Sequence, residues 1–448
     1  MKTLLSFALG FLLAAAIGAI TIYRTGGDLQ FKMRVAQDIA SRRADEVATA
    51  VDSPDTAPNE ALMNGQAWHD FLGSLAKAGD QILRDDVPGD PRTRAQGYEY
   101  LSGLLLSGLL GQLYADPNHP QFVRTMDWHA KWGLDNSDAL YLSTAVEGTG
   151  TYRISGMRGT VRFLGIQASY GQFGSSTPMG IASNLTGDDL EIAPDGSFEI
   201  IASAQPHEGN WLRMTPEVNA LGARLFFSDW ENEVPAELYI ERIDIPHEVP
   251  VANTHSIARR LKAVGEFVEG SAKFWNDFVL GRRATMFNEL SAPGFAPDLQ
   301  ASNAQSYGWS QFSLREGEAL LIEVEPPEAL YWNFELGDFW ARSMDYVNRV
   351  ISINDHQAVI DPDGMLRIVV SANDPGLVNW LDTGGITEGT MTYRYNGAKT
   401  HPPPSTRLVR LNELDQLVPA SAERATPAQR AAELDRRRRA VSRRFSRG

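Results

Sequence analysis

The chain has no cysteine in its 448 residues, which excludes disulfides, thiolate zinc sites, iron–sulfur clusters and a cysteine nucleophile. Histidine is sparse: His69, His119, His129, His207, His247, His255, His356 and His401 include no His-x-x-x-His or His-x-His pair. A metal site of local spacing is therefore missing. So are the glycine motifs that cradle phosphates or dinucleotides, and the Gly-x-Ser-x-Gly elbow of hydrolases. No motif asks for a cofactor. Basic charge is in deficit, with 41 Lys and Arg against 56 Asp and Glu and a net charge of −15. Nucleic acid, which requires a basic surface, is set aside as a partner. With 43% hydrophobic and 22% charged residues, the composition is that of a globular protein, and the length suits about three units.

What is present begins with an address. From Thr3 to Tyr23 the chain is nearly free of charge, and about 20 apolar residues suffice to cross a bilayer. A cleaved signal peptide has a shorter core and a small-x-small cleavage site. Here the run is longer and ends in Ile20-Thr21-Ile22-Tyr23-Arg24, although Ala14-Ala15-Ala16 offers a cleavage site. An uncleaved signal anchor is the reading adopted, with a signal peptide as the alternative. Arg24, Lys32, Arg34, Arg42 and Arg43 beyond the span outnumber Lys2 before it, which points the body to the cytoplasm. The signal-like layout and the lack of cysteine point the other way. The adopted reading puts the body on the exported side of an inner membrane; a cytoplasmic body or a secreted product are the alternatives.

The middle of the chain resembles itself. Leu190 to Ala204, around Pro194-Asp195-Gly196, lines up with Ala358 to Ala372, around Pro362-Asp363-Gly364. Downstream, Asn210-Trp211-Leu212 matches Asn379-Trp380-Leu381, Ala223-Arg224-Leu225 matches Tyr393-Arg394-Tyr395, and Glu237–Ile243 matches Thr406–Leu411. Upstream, Glu147 before Tyr152-Arg153-Ile154 is matched to Glu325 before Tyr331-Trp332-Asn333-Phe334. A shared order over about a hundred residues marks two copies of one β unit. Pro-Asp-Gly between alternating apolar runs predicts a hairpin, with glycine supplying positive φ. Short strands at regular spacing predict a sandwich or jelly roll.

The predicted fold class is α+β, mainly β: two tandem related jelly-roll or β-sandwich units with N-terminal and intervening helical segments, preceded by one membrane segment. The layout is 1–25 anchor or signal peptide, 26–58 juxtamembrane helix and linker, 59–134 helical region, 135–246 first copy, 247–304 helical insert, 305–413 second copy and 414–448 basic tail. A juxtamembrane helix is expected over 29–49 and a linker over Asp52–Pro58. Helices are expected over 59–85 and 91–115, the second with Tyr98, Leu101, Leu105, Leu109 and Leu113 on one face. Gly103, Ser107 and Gly111, four apart, permit close backbone approach. Asn253–Leu290 carries Ile257, Leu261, Val264, Val268, Ala272, Trp275 and Val279 at helical spacing. From Arg424 onward, nine arginines face only Glu433 and Asp435, a net +7 that leaves −22 for the body. That tail reads as a solvated, partly helical extension, or as a contact for anionic lipid headgroups.

Four stretches resemble a bacterial family of uncharacterised proteins: Arg94–Leu101, Trp132-Gly133-Leu134-Asp135-Asn136-Ser137-Asp138, Asp229–Leu238, and Asp374–Thr383. That family carries the domain of unknown function numbered twelve-fourteen, often paired with the twelve-fifty-four type. The resemblance covers about residues 90–412 and implies jelly-roll-like β domains but no catalytic residues. Relatives often read Asp-Asn-Pro-Asp where this chain has Asp135-Asn136-Ser137-Asp138, so a proline-stiffened turn is lost.

The polar loop containing Asp135 and Asp138 offers oxygen ligands for a hard cation; the competing reading is a capped turn. The duplicated Asn-Trp pair with an arginine downstream offers an aromatic platform beside an amide and a guanidinium, suited to a sugar, carboxylate or sulfate ester; the competing reading is a core anchor. Copy two is denser in such groups, so the ligand-binding candidates are Asn379, Trp380, Asp382, Arg394, His356 and Trp340. Two functions follow: a membrane-anchored accessory protein binding a small lipophilic or anionic ligand, or a hydrolase or isomerase acting on a lipophilic or sugar-like substrate through Asp, Glu and His. No nucleophile–base spacing stands out, which favours the binder.

Overall fold

The computed structural model describes residues 56–173, 175, 178–246, 254–295 and 305–446. The expected membrane segment (3–23) and juxtamembrane helix (29–49) lie outside the described residues. Among the described residues no helix is long and apolar enough to cross a membrane.

Strand β1 (Val123–Met126) precedes copy one, which holds β2 (Ala139–Ala145), β3 (Tyr152–Met157), β4 (Phe163–Tyr170), β5 (Gly180–Thr186), β6 (Ser197–Ser203), β7 (Trp211–Arg213), β8 (Val218–Phe226) and β9 (Glu237–Arg242). Copy two holds β10 (Gln305–Ser313), β11 (Glu318–Val324), β12 (Tyr331–Gly337), β13 (Ser352–Asn354), β14 (Leu366–Ser371), β15 (Trp380–Asp382), β16 (Glu388–Asn396) and β17 (Ser405–Arg410). The sheet orders are β1-β2-β8-β4-β5 and β7-β6-β3-β9 in the first copy, β10-β16-β12-β13 and β15-β14-β11-β17 in the second. Adding eight to each strand number of copy one, β1 aside, gives the order of copy two. The chain is thus a duplicated β-sandwich with helices.

Alternation along the strands sets the two faces of each sheet. In β8, Leu221, Ala223 and Leu225 join the sandwich core, as do Met391, Tyr393 and Tyr395 at the equivalent places in β16. The residues between them, including Arg224 and Arg394, point out of their own sandwich. There the outer faces of the two copies meet, with Phe163 and Phe226 against Tyr331.

Three expectations about this region are corrected. Shared topology pairs β3 with β11, so Tyr152 has its counterpart in β11, and Tyr331 in β12 corresponds to Phe163; the upstream match was one strand out of step. Pro-Asp-Gly does turn with glycine at positive φ (Gly196 at 88°, Gly364 at 85°), but the arm before each turn is not a strand. Finally, β1 lies inside the stretch expected to be helical; its alternating sequence pairs with β2.

The helices are α1 (Thr56–Met63), α2 (Gln66–Asp80), α3 (Pro91–Gly108), α4 (Thr254–Arg283), α5 (Leu414–Leu417) and α6 (Pro427–Ser446). Helix α1 and the first residues of α4 fall in a small unit, and the remainder forms a large one. Thr56, Ala57 and Pro58 belong to α1, not to a linker; proline is tolerated in a first helical turn because its missing N–H had no partner there. Gly65, at φ 81°, separates α1 from α2, dividing the helix expected over 59–85. Asp90 caps α3 by accepting from the Arg92 and Thr93 N–H groups.

The buried face of α3 is Gly97, Tyr100, Gly103, Leu104, Ser107 and Gly108, whereas the expected apolar face is half-buried, and Tyr98 is exposed. Small residues decide this. A Cβ on Gly103 would sit 3.3 Å from the Lys131 backbone nitrogen, and the Ser107 hydroxyl donates to the Thr125 carbonyl at 2.5 Å. With α2 and α4, this face builds a second core around Val264, Val268, Ala272, Trp275 and Val279.

The basic C-terminal segment is not wholly solvated. In α6, Arg430, Arg437 and Arg444 are buried together with Ala440 and Val441. The spacing of seven places these arginines on one stripe, while Arg436, Arg438, Arg439 and Arg443 stay exposed.

Candidate functional site

Strand register places the two duplicated arginines at equivalent points. Arg224 in β8 lies between Tyr141 of β2 and Gly165 of β4, and Arg394 in β16 lies between Tyr307 of β10 and Asn333 of β12. All of these except Gly165 and Asn333 line one cavity of about 190 Å³ between the copies. Its walls include Phe173, Phe226, Trp275 and Trp309, with Gln167, Gln305 and Thr392 among the polar groups. A cavity of about 150 Å³ accommodates a benzene ring, so this one has room for a small organic molecule.

The equivalence breaks at one position. Two residues after Asn333 comes Glu335, whose carboxylate accepts from Arg394 Nη1 at 3.0 Å. Two residues after Gly165 comes Gln167, an amide that gives its Nε2 to the Ser169 hydroxyl at 2.9 Å. Arg394 therefore has a carboxyl as a built-in hydrogen-bond partner, and the corresponding position beside Arg224 holds an amide. Arg224 is half-buried and has contacts of its own. Trp275 and Gln305 line the cavity, but their Nε1 and Nε2 atoms are turned into the packed protein and lack hydrogen-bond partners among the described residues.

Around Arg394 the site is tightly wired. Arg394 Nη2 donates to the Leu134 carbonyl at 2.5 Å, and Leu134 is held at φ 58°, a left-handed conformation that is costly for a branched residue. Burial pushes the Glu335 carboxyl up to about 8, with the like charges of Asp135 and Asp138 adding to the rise, although the Arg394 guanidinium opposes it. Burial likewise raises the Tyr141 and Tyr307 hydroxyls against the pull of both arginines.

Asp135 and Asp138 sit in this network and not on a surface loop. Asp135 accepts from the Ser343 N–H and hydroxyl at 2.8 and 2.6 Å, and burial raises its pKa. Asp138 accepts from Trp230 Nε1 (2.7 Å), the Tyr331 hydroxyl (2.6 Å), Asn333 Nδ2 and Asn354 Nδ2 (both 3.2 Å). Their oxygens are thus taken up by protein donors, and no metal-type cluster occurs among the described residues. The turn itself is capped by Asn136, whose Oδ1 accepts from the Asp138 N–H at 2.9 Å. Ser137 has a specific use: its N–H donates to Glu335 Oε1 at 3.0 Å, a bond that a proline lacks.

The other sequence candidates do not converge on the cavity. Asn379 ties down the arm before the Pro362 turn, donating to the Val359 and Arg367 carbonyls and accepting from the Val359 N–H. Asn210 does the same with Glu191 and Glu199. The Trp380 and Trp211 indoles donate to Ser371 and Ser203. The duplicated Asn-Trp pair is thus a backbone staple, which explains both its repetition and the irregular arms. Asp382 holds Arg349 Nη1 at 2.7 Å and the Gly384 N–H. Trp340 is buried against Tyr100 and donates to the Thr93 carbonyl at 2.8 Å. His356 is exposed, 3.8 Å from Asp229. Of the six candidates only Arg394 lines the cavity, whose wall draws on both copies. Residues that sequence reasoning missed, Tyr141, Tyr307 and Gln167, were findable from the repeat by extending its alignment strand by strand.

Among solved structures, the chain is similar to an uncharacterized protein from Burkholderia cenocepacia, with 38% identity and a TM-score of 0.76 over 79% of this chain and 99% of that one. The chain belongs to the family of that protein. A protein from Vibrio parahaemolyticus aligns over 75% of this chain and 100% of its own at 11% identity, with a TM-score of 0.38, too low to support an argument. No protein-family model and no curated protein matches the chain.

Proposed function

We propose that this chain is a membrane-anchored binding protein that holds a small organic anion with an apolar body in the cavity between its two β copies. The observation that carries this reading is the exchange of Glu335 for Gln167 at equivalent register positions. Arg394 is held by Glu335, and the place equivalent to Glu335 beside Arg224 holds an amide, so the two arginines together give the cavity a cationic wall that suits a carboxylate on the ligand. Aromatic walls cover the apolar body. A catalytic reading rests on Glu335, whose raised carboxyl has a value useful for acid–base work. Its two oxygens are engaged by Ser137 and Arg394, and binding is preferred.

The anchor is residues 3–23, with the body on the exported side and the exposed arginines of α6 available to anionic headgroups. Membership in the group with the twelve-fourteen domain, with its jelly-roll-like units, is part of the same proposal. Benzoate, phenylacetate and hexanoate serve as probes in calorimetric titration. The expected result is binding that Arg224→Gln weakens roughly ten- to a hundredfold, the worth of one charge-assisted bond of about 1.5–3 kcal/mol. Equal affinities for wild type and a folded Arg224→Gln contradict the site.

A further inference from the structure

The buried arginine stripe of α6 lies along the seam between the copies. Arg430 meets Asp374 and the Leu377 and Val378 carbonyls in copy two, and Glu433 on its own helix. Arg437 Nη2 donates to the Ser352 carbonyl at 2.6 Å, and its guanidinium lies over Trp230. Arg444 reaches across to copy one, where Nη1 donates to the Ser137 carbonyl at 2.6 Å. Its guanidinium lies 4.5 Å from the ring centres of both Phe227 and Trp230. Across the same seam the Ser137 and Ser352 hydroxyls are bonded at 2.7 Å.

From Ser137 the connections continue to the cavity. The carbonyl of Ser137 takes Arg444, its N–H holds Glu335, and Glu335 holds Arg394, which lines the cavity. We propose that Arg444 is a positioning residue for the ligand cavity, acting through Ser137 and Glu335 to keep Arg394 paired with Glu335 in the wall it shares with Arg224, so that α6 is a latch whose docking sets how well that wall receives an anion bound at Arg224. This rests on the cavity reading above. The latch is held unevenly: Arg430 has two carboxylates and two carbonyls, whereas Arg444 Nε and Nη2 are buried without hydrogen-bond partners among the described residues. A buried charge so thinly partnered is costly, and the end of the helix is where the latch gives first.

Benzoate titration of full-length wild type, Arg444→Gln, Arg444→Lys and the exposed control Arg438→Gln tests this. The latch predicts that Arg444→Gln folds but binds benzoate roughly three- to thirtyfold more weakly, that Arg444→Lys recovers most of the loss by keeping a donor for the Ser137 carbonyl, and that Arg438→Gln matches wild type. Affinity in a folded Arg444→Gln equal to wild type overturns it. If Arg444→Gln does not fold, wild type alone carries the test: coupling is reciprocal, so saturating benzoate must slow amide exchange over residues 437–446, and unchanged exchange there contradicts the latch. If wild type binds none of the three acids, the cavity reading fails, and the latch stands or falls on ligand-free pH-dependent unfolding. Loosening Ser137 removes a donor to the Glu335 anion, so the loss of stability with rising pH must extend to higher pH in Arg444→Gln; a profile identical to wild type rejects it.

Discussion

Asp138→Ala is expected to be among the most destabilising single substitutions in this chain. Asp138 is fully buried, and removing its carboxylate leaves Trp230 Nε1, the Tyr331 hydroxyl and the Asn333 and Asn354 amides without their shared acceptor. Each buried donor left unpaired costs about 1–3 kcal/mol, less where a side chain turns to another acceptor. The sum is on the order of 4 kcal/mol, a large part of the roughly 5–15 kcal/mol that keeps a domain folded. Asp138→Asn keeps the shape but presents an amide donor to other donors, so its loss is expected to be about half as great. Denaturant unfolding measures both. A shift below about 1 kcal/mol in Asp138→Ala would show that the network is not structural.

The second large effect is at the Arg394–Glu335 pair, where both side chains are buried. Breaking such a pair from one side costs about 3–5 kcal/mol, whereas replacing both partners with apolar residues is often nearly neutral. Arg394→Leu is therefore expected to be severe, and the Arg394→Leu/Glu335→Leu double variant to recover much of the loss; the coupling is read from the double-mutant cycle. The pH dependence has a fixed sign. A carboxyl whose folded value is raised from the usual 4.5 to about 8 binds more protons in the folded state across that window. Stability is then highest below about 4.5 and falls as pH rises through 8. Glu335→Gln is expected to flatten that part of the profile, measured as melting temperature between pH 5 and 8. An unchanged slope would assign the titration to another group.

The repeat was the most legible feature of the sequence, because a duplicated fold needs the same residues at the same turns. Gly196 and Gly364 advertise their positive φ, and Asn210 and Asn379 recur because each brackets an arm that has no ladder partner. That role was misread as a ligand platform, since an amide beside an indole looks alike whether it faces solvent or backbone. Tyr152 and Tyr331 carry no sign of which strand they belong to, so the upstream match drifted by a whole strand. In α3 the spacing of Gly103 and Ser107 rightly marked a face of close backbone approach, whereas the leucine face, equally periodic, is only half-buried. The arginines of α6 misled in the opposite direction. Charge density reads as solvated, and only the spacing of seven from Arg430 to Arg437 to Arg444 hinted at a buried stripe. The cavity itself was invisible because it is made by two copies distant in sequence, although Arg224 and Arg394 were already aligned.

The most direct test of the anion site is a crystal structure of the protein with 4-bromobenzoate, read by the anomalous signal of bromine. The account predicts one bromine peak among Phe173, Trp275 and Trp309, with the carboxylate within hydrogen-bond distance of Arg224. A peak outside the cavity, or a carboxylate that meets Arg394 while Arg224 is untouched, contradicts it.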